Sequence, residues 1–207
     1  MYFPLTPTIT LASTWQPCWP QRGRRLIRLR QSRTFPIGHP STRLSLELLA
    51  WVCEEQEFSS CLDVGCGSGV LAIAGALLGI RRVSGCDLSA AAVAVSRENA
   101  RRAGVESQVH WLQGSTEALG ARFPLILANL PLSVQRAKQP EFARLLAPRG
   151  RLILAGFKDT GEEAVTAFYL SRGWQLCRRL SLERWEPELP PDLSYTWVGL
   201  VLQAIQD

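Results

Sequence analysis

The sequence predicts an α/β protein: a doubly wound, mostly parallel sheet of seven strands with an antiparallel last strand. Three observations carry this. Short apolar runs alternate with helical patterns along the middle of the chain, the mark of strand–helix–strand units. One of those runs, Leu62-Asp63-Val64, enters Gly65-Cys66-Gly67-Ser68-Gly69, and an apolar helical stretch follows. Near the end the alternation breaks, because two strands follow one another with no helix between them, and such a hairpin pairs antiparallel.

Each element has a local reason. Residues 1–34 contain Pro and Trp and read as irregular, with one strand near 25–30. A helix is expected over 41–54, where Ser41 or Thr42 can cap the first turn. The first sheet strand is 60–64, and the glycine turn leads into a helix at 69–79. A second strand, 82–87, ends at Asp87. Ser89 caps the next helix, 90–103, whose apolar face includes Ala91, Val95 and Ala100 and which stops at Gly104. Strand 108–113 follows, then 124–129, a continuous apolar run of the kind buried on both faces. A helix is expected at 139–146, a turn at Pro148-Arg149-Gly150 and a strand at 151–155. Residues 162–171 read as helical. Strands at about 174–184 and 195–203 flank a loop containing Pro187, Pro190 and Pro191. The chain contains no internal repeat.

At 207 residues and 46% apolar content, the chain is long enough for one α/β domain with a sizeable core. Its longest apolar stretch, Val70 to Ile80, is too short to span a bilayer. No membrane association is expected, and no signal-peptide pattern opens the chain. The six cysteines form no CxxC pair, and the only histidines are His39 and His110, so no metal site is expected. Cys61, Cys66 and Cys86 read as small buried hydrophobes in a reducing compartment, which predicts a cytoplasmic protein.

Charge is uneven. Residues 1–46 hold seven arginines and no acidic residue, and six of those arginines lie from Arg22 to Arg33. The net charge of +5 therefore originates in this segment. A basic patch suits RNA, a ribosomal surface or an acidic protein. A solvated edge strand explains it equally well, since charged edges resist aggregation. A mitochondrial transit peptide is a third reading.

Glycines let a backbone turn tightly and approach a ligand, and an acidic residue at the next strand tip can accept both ribose hydroxyls. The layout from Asp63 to Asp87 is therefore that of a nucleoside site. A dinucleotide fingerprint would read G-x-G-x-x-G. Here the spacing is G-x-G-x-G with Asp63 in front, which resembles the first motif of the class I S-adenosylmethionine-dependent methyltransferases. That resemblance implies the Rossmann-like methyltransferase fold and S-adenosylmethionine (SAM) as cofactor. It implies that Asp63, Gly65, Cys66, Gly67 and Gly69 lie along the methionine part, that Asp87 holds the ribose, and that Leu88, Gly114 and Ser115 lie near the adenine. A Rossmann-like enzyme of a nicotinamide cofactor is the competing reading.

Further residues narrow the resemblance. Phe35-Pro36-Ile37-Gly38-His39-Pro40-Ser41-Thr42 enters a Leu-rich helix, and Glu98-Asn99-Ala100 and Ala128-Asn129-Leu130 follow in order. This resembles the catalytic domain of the PrmA family, methyltransferases of a large-subunit ribosomal protein. Pro36 and Ile37 depart from that family's loop, which is one residue longer. The resemblance spans roughly residues 25–175 and implies that Thr42 reaches the cofactor and that the tip at Asn129 faces the transferable methyl. Asn129 supplies a donor and an acceptor, enough to orient a nucleophilic amine, and is the expected catalytic residue. Asn129-Leu130-Pro131-Leu132 only loosely matches the Asn-Pro-Pro-aromatic signature of base and amide methyltransferases. His39 is either a substrate-side base or an ordering hydrogen-bond partner in its loop.

PrmA proteins carry an N-terminal domain that holds the ribosomal substrate. Here 34 residues precede Phe35, so the expected organisation is a basic extension, 1–34, and a methyltransferase domain, 35–207, without that recognition domain. The expected function is N-methylation of a protein lysine or terminal amine, ribosomal proteins included. The alternatives are methylation of RNA, through Arg22 to Arg33, or of a small molecule, and a cofactor-binding regulatory protein without catalysis.

Overall fold

The sheet is ordered by the strands that carry the glycine and acidic motifs. The structure is a computed structural model and describes residues 2–14, 23–30, 38–183 and 196–205. Three strands open the chain: β1 (Tyr2–Pro4), β2 (Ile9–Ser13) and β3 (Arg25–Leu29). Then come α1 (Pro40–Glu55), β4 (Ser60–Val64), α2 (Val70–Leu77), β5 (Arg82–Asp87), α3 (Ala90–Ala103) and β6 (Val109–Gln113). The second half holds β7 (Phe123–Asn129), α4 (Leu132–Leu145), β8 (Leu146–Lys158), α5 (Glu162–Leu170), β9 (Trp174–Glu183) and β10 (Thr196–Ala204).

The large sheet has the order β6-β5-β4-β7-β8-β10-β9. All its pairs are parallel except those of β10, which is antiparallel to both β8 and β9. The expected seven strands and the antiparallel last strand are thus present. Strand order reverses between β4 and β7, which opens a crevice at their C-terminal ends. Helices α1, α2 and α3 cover one face, α4 and α5 the other. β7 feeds both layers: Leu125 and Leu127 belong to the first core, Ile126 and Ala128 to the second. Each fully buried Leu or Ile among them contributes about 1.5–3 kcal/mol.

Residues 2–4 and 9–13 are strands where an irregular segment was expected. β1, β2 and β3 form a separate small sheet, with β2 and β3 parallel. Its inward side chains Phe3, Leu11, Ile27 and Leu29 join the core that holds Ile73 and Ala100. Two arginines of the basic segment are used here. The Arg25 guanidinium donates to the Ala103 carbonyl at 2.8 Å, satisfying the C-terminus of α3. Arg30 pairs with Glu98 at 2.7 Å. Arg22 and Arg33 lie outside the described residues, as do Phe35 to Ile37, Cys18 and the proline-containing loop at 184–195.

Two further elements depart from expectation. α4 begins at Leu132, seven residues before the expected 139, and carries Pro140 inside it. A proline ring suits the first turn of a helix, yet here the backbone accommodates it mid-helix. β8 runs from 146 to 158 rather than 151 to 155, with the expected turn absorbed as a bulge. Phe123 pairs with Leu146 but Leu125 with Arg151, so residues 147–150 loop out, and Arg149 takes φ 59°.

Candidate functional site

The glycine loop between β4 and α2 is held from behind, and that exposes its front. Gly65, Gly67 and Gly69 all have positive φ, at 68°, 56° and 76°, which L-residues rarely adopt. Ser96 of α3 donates to the Gly67 carbonyl at 2.9 Å, and Asn99 of α3 donates to the Ser68 carbonyl at 2.8 Å. The same Asn99 side chain bonds the Arg30 backbone twice, accepting from its N–H at 2.7 Å and donating to its carbonyl at 2.8 Å. One buried amide therefore ties the N-terminal sheet to the glycine loop.

In front of the loop is a cleft of about 360 Å³. Thr42, Asp63, Gly65, Cys66, Gly67, Asp87, Leu88, Gly114, Ser115 and Asn129 all line it, so ten of the eleven expected site residues come together. Gly69 does not line it. It caps α2, and a Cβ there would meet Trp111 and Ser96, so this glycine serves packing. Leu88 is 76% exposed at the rim.

The two carboxylates are placed differently. Asp87 accepts from the Gly67 N–H and the Ser89 N–H, both at 2.9 Å, one on each oxygen. Each oxygen keeps a lone pair for a hydroxyl on the cleft side. Asp63 is 2% exposed and accepts from the Ala72 N–H at 3.1 Å, in the first turn of α2. Burial pushes its carboxyl up to about 7; the Ala72 bond opposes this and the charge of Asp87 adds to it. This carboxylate occupies the place at a helix N-terminus where a pyrophosphate would sit. A dinucleotide is therefore disfavoured, while a cationic sulfonium or ammonium finds acidic walls.

At the tip of β7, the Asn129 amide nitrogen lies 3.4 Å from the Thr42 hydroxyl. Its Oδ1 is buried with no hydrogen-bond partner. An unpaired buried acceptor in a residue that lines the cleft suits an N–H donor that can reach it. A Cβ on Gly65 would overlap the Leu130 side chain, so the glycine allows strand tip and loop to close on each other.

His39 is the N-cap of α1, a position expected for Ser41 or Thr42. Pro40, suited to the first helical position, places the cap at His39, two residues before Ser41. The His39 Nδ1 is 2.8 Å from the Ser41 hydroxyl, and the ring stands edge-on to Trp197. The ordering role is the one this geometry carries. Thr42, one turn on, reaches the cleft.

Val134 and Lys138 of α4 also line the cleft and were not expected. The Lys138 ammonium donates to the Ser115 hydroxyl at 2.6 Å, the Thr116 hydroxyl at 3.2 Å and the Glu117 carboxylate at 2.6 Å. Its three hydrogens are thus all used to hold the loop after β6, and the pairing holds Glu117 down at about 2. The i, i+4 spacing of Val134 and Lys138 was the available signal, hidden by the late start assigned to the helix. Among the described residues no cluster of His, Cys, Asp or Glu converges on a metal position. No described helix is long and apolar enough to cross a membrane.

Strand order, antiparallel β10, glycine loop and acidic strand tip together define a Rossmann-like methyltransferase fold. The structure overlays on the solved ribosomal protein L11 methylase of Lactobacillus delbrueckii subsp. bulgaricus with a TM-score of 0.79, at 21% identity, over 99% of this chain and 98% of that one. It also resembles the magnesium protoporphyrin IX methyltransferase (ChlM) of Synechocystis PCC 6803 with bound SAM, at a TM-score of 0.62 and 20% identity, over 79% of this chain and 82% of that one. The chain belongs to the ribosomal protein L11 methyltransferase (PrmA) family, whose profile matches residues 3–187. Two relatives bearing the name ribosomal protein L11 methyltransferase are similar to it. The Sorangium cellulosum protein is 40% identical over 82% of this chain and 54% of its own length. The Syntrophotalea carbinolica protein is 37% identical over 80% and 54%. The chain thus spans about half the length of the curated relatives it matches.

Proposed function

We propose that this chain is a SAM-dependent methyltransferase that N-methylates a protein amine, a lysine or a terminal amine, with a ribosomal protein as its substrate. The observation that carries the reading is Asn129, a cleft-lining residue at the β7 tip whose buried Oδ1 lacks a partner, in a cleft whose carboxylates suit a cation. Bound SAM supplies a methyl carbon already activated by its sulfonium. The chain's residues do the rest. Asp87 accepts the ribose hydroxyls, Asp63 faces the cationic methionine end, and the Lys138-pinned loop with Gly114, Ser115 and Leu88 bounds the adenine end. Asn129 accepts an N–H of the incoming amine and aims its lone pair, which is alignment rather than acid–base chemistry. An amine of reference pKa about 10.4 arrives protonated, and the apolar surroundings of Leu130 and Val134 favour its neutral form.

Residues 35–207 are the proposed catalytic unit and residues 1–34 its extension, acting in the cytoplasm. RNA methylation is the second reading and rests on the basic segment. It is the weaker one, because Arg25 and Arg30 already serve α3. The test is incubation of the protein with methyl-labelled SAM and a bacterial extract, followed by fractionation. Label in a protein of ribosomal size is the expected result. Label in RNA favours the second reading, and tight SAM binding without transfer would leave a regulatory protein.

A further inference from the structure

Asn129 and Leu130 sit at the end of a strand, where a backbone is ordinarily free to shift. Here the turn is gripped from three sides. The Leu130 N–H donates to the Ala155 carbonyl at 3.0 Å. The Gln135 side chain, from the first turn of α4, donates through Nε2 to that same Ala155 carbonyl and to the Leu130 carbonyl, both at 2.6 Å. Gly156 takes φ 102°, and a Cβ there would overlap the Leu130 backbone, so strand β8 lies directly against the turn. Gln135 is fully buried, and its Oε1 has no partner. Leaving a buried amide oxygen unpaired is unfavourable, and a methionine of similar shape would avoid it. Packing alone therefore does not account for a glutamine here. The two bonds from its Nε2 do, since they close a ring from Leu130 N–H through the Ala155 carbonyl and Gln135 back to the Leu130 carbonyl. The Tyr169 hydroxyl donates to the Gln135 backbone carbonyl at 3.1 Å and anchors the clamp to α5.

We infer that Gln135, backed by Gly156, is a positioning residue: it fixes the Asn129-Leu130 tip at the geometry that methyl transfer requires. The inference rests on the proposed methyltransferase reading for its kinetic consequence, but not for its structural one. Gln135 does not line the cleft and acts through Leu130.

The test compares wild type with Gln135→Met in two measurements. In single-turnover transfer from SAM to recombinant bacterial ribosomal protein L11, the rate should fall about ten- to hundred-fold, as expected for a misplaced reacting group, while SAM affinity stays within about two-fold. Added to Asn129→Ala, the same change should cost less than about three-fold, because both act on one alignment. In hydrogen exchange without acceptor, the Leu130 amide should exchange about five- to ten-fold faster in the variant, with amides of β4 and β5 unchanged. Gly156→Ala, which pushes the turn from the other side, should reproduce this pattern should Gln135→Met fail to fold. An unchanged transfer rate, equal loss of SAM affinity, or an unaltered Leu130 amide would overturn the inference. Absence of wild-type transfer to L11 would instead count against the proposed substrate, and the exchange measurement would still decide the clamp.

Discussion

Asp63 should make cofactor binding depend on pH in a defined window. Its carboxyl is held at about 7 by burial, against an ordinary 3.8. In the free protein it is therefore about one-tenth ionised at pH 6 and about nine-tenths at pH 8. A cationic ligand binds the ionised form and draws the carboxyl back toward its usual range, so binding below pH 7 must release a proton. Linkage then gives SAM affinity about eight-fold weaker at pH 6 than at pH 7.5. The ligand's own amino group, with a reference value of about 7.7–8.0, stays protonated below that range. The sign for stability is the opposite. This is an acid whose folded pKa is raised, so the folded state keeps the proton longer than the unfolded chain. Stability is complete below about 4 and is lost as pH rises to about 7, by at most ~4 kcal/mol. Calorimetric titration in two buffers of different ionisation enthalpy reads both affinity and released protons. Asp63→Asn, which keeps an acceptor for Ala72, should flatten the profile, weaken SAM binding at pH 8 and raise the melting temperature of the free protein there. A flat wild-type profile between pH 6 and 7.5, or a slope that survives in Asp63→Asn, would refute the reasoning.

Two other substitutions probe the frame of the site. Asp87→Ala removes the ribose acceptor and the partner of the Gly67 and Ser89 N–H groups. It should weaken SAM binding by about 1.5–3 kcal/mol in calorimetry, as charge-assisted bonds do, and a gain of NAD binding over SAM would reverse the cofactor assignment. Asn99→Ala leaves the Arg30 backbone and the Ser68 carbonyl without their shared partner. It should lower unfolding free energy by about 2–4 kcal/mol in urea titration, the effect of several buried groups left unpaired; a loss under 0.5 kcal/mol would mean the N-terminal sheet is not coupled to the loop through this residue.

What could be read from the chain was what a short segment dictates by itself. The run from Asp63 to Gly69 has to turn within a few residues, and a helix and a strand ending at Asp87 then follow in fixed order. The continuous apolar stretch at 124–129, bounded by Pro124 and Asn129, reads as a strand covered on both faces. What could not be read depends on distant partners. β1 and β2 are short, and β2 pairs in parallel with β3, so their sheet exists only once both pack on the core that holds Ile73 and Ala100. The expected start at 139 left out the first two turns of α4, and with them Gln135 and Lys138. Asn99 stood in a recognised motif, but its work of joining Arg30 to Ser68 exists only once α3 is packed. The arginines of the first 46 residues looked like one patch, whereas Arg25 and Arg30 are parts of the fold.

The central claim is that methyl transfer occurs at the β7 tip, on an amine oriented by Asn129. Its most direct test is single-turnover transfer by Asn129→Ala from labelled SAM to the protein that accepts label in extract, with SAM affinity measured in parallel. Removing a hydrogen bond made in the transition state lowers turnover by about 10²–10³. The account predicts a loss of that size with SAM affinity changed less than about three-fold. Near-normal turnover, or a loss matched by an equal loss of SAM affinity, would contradict it.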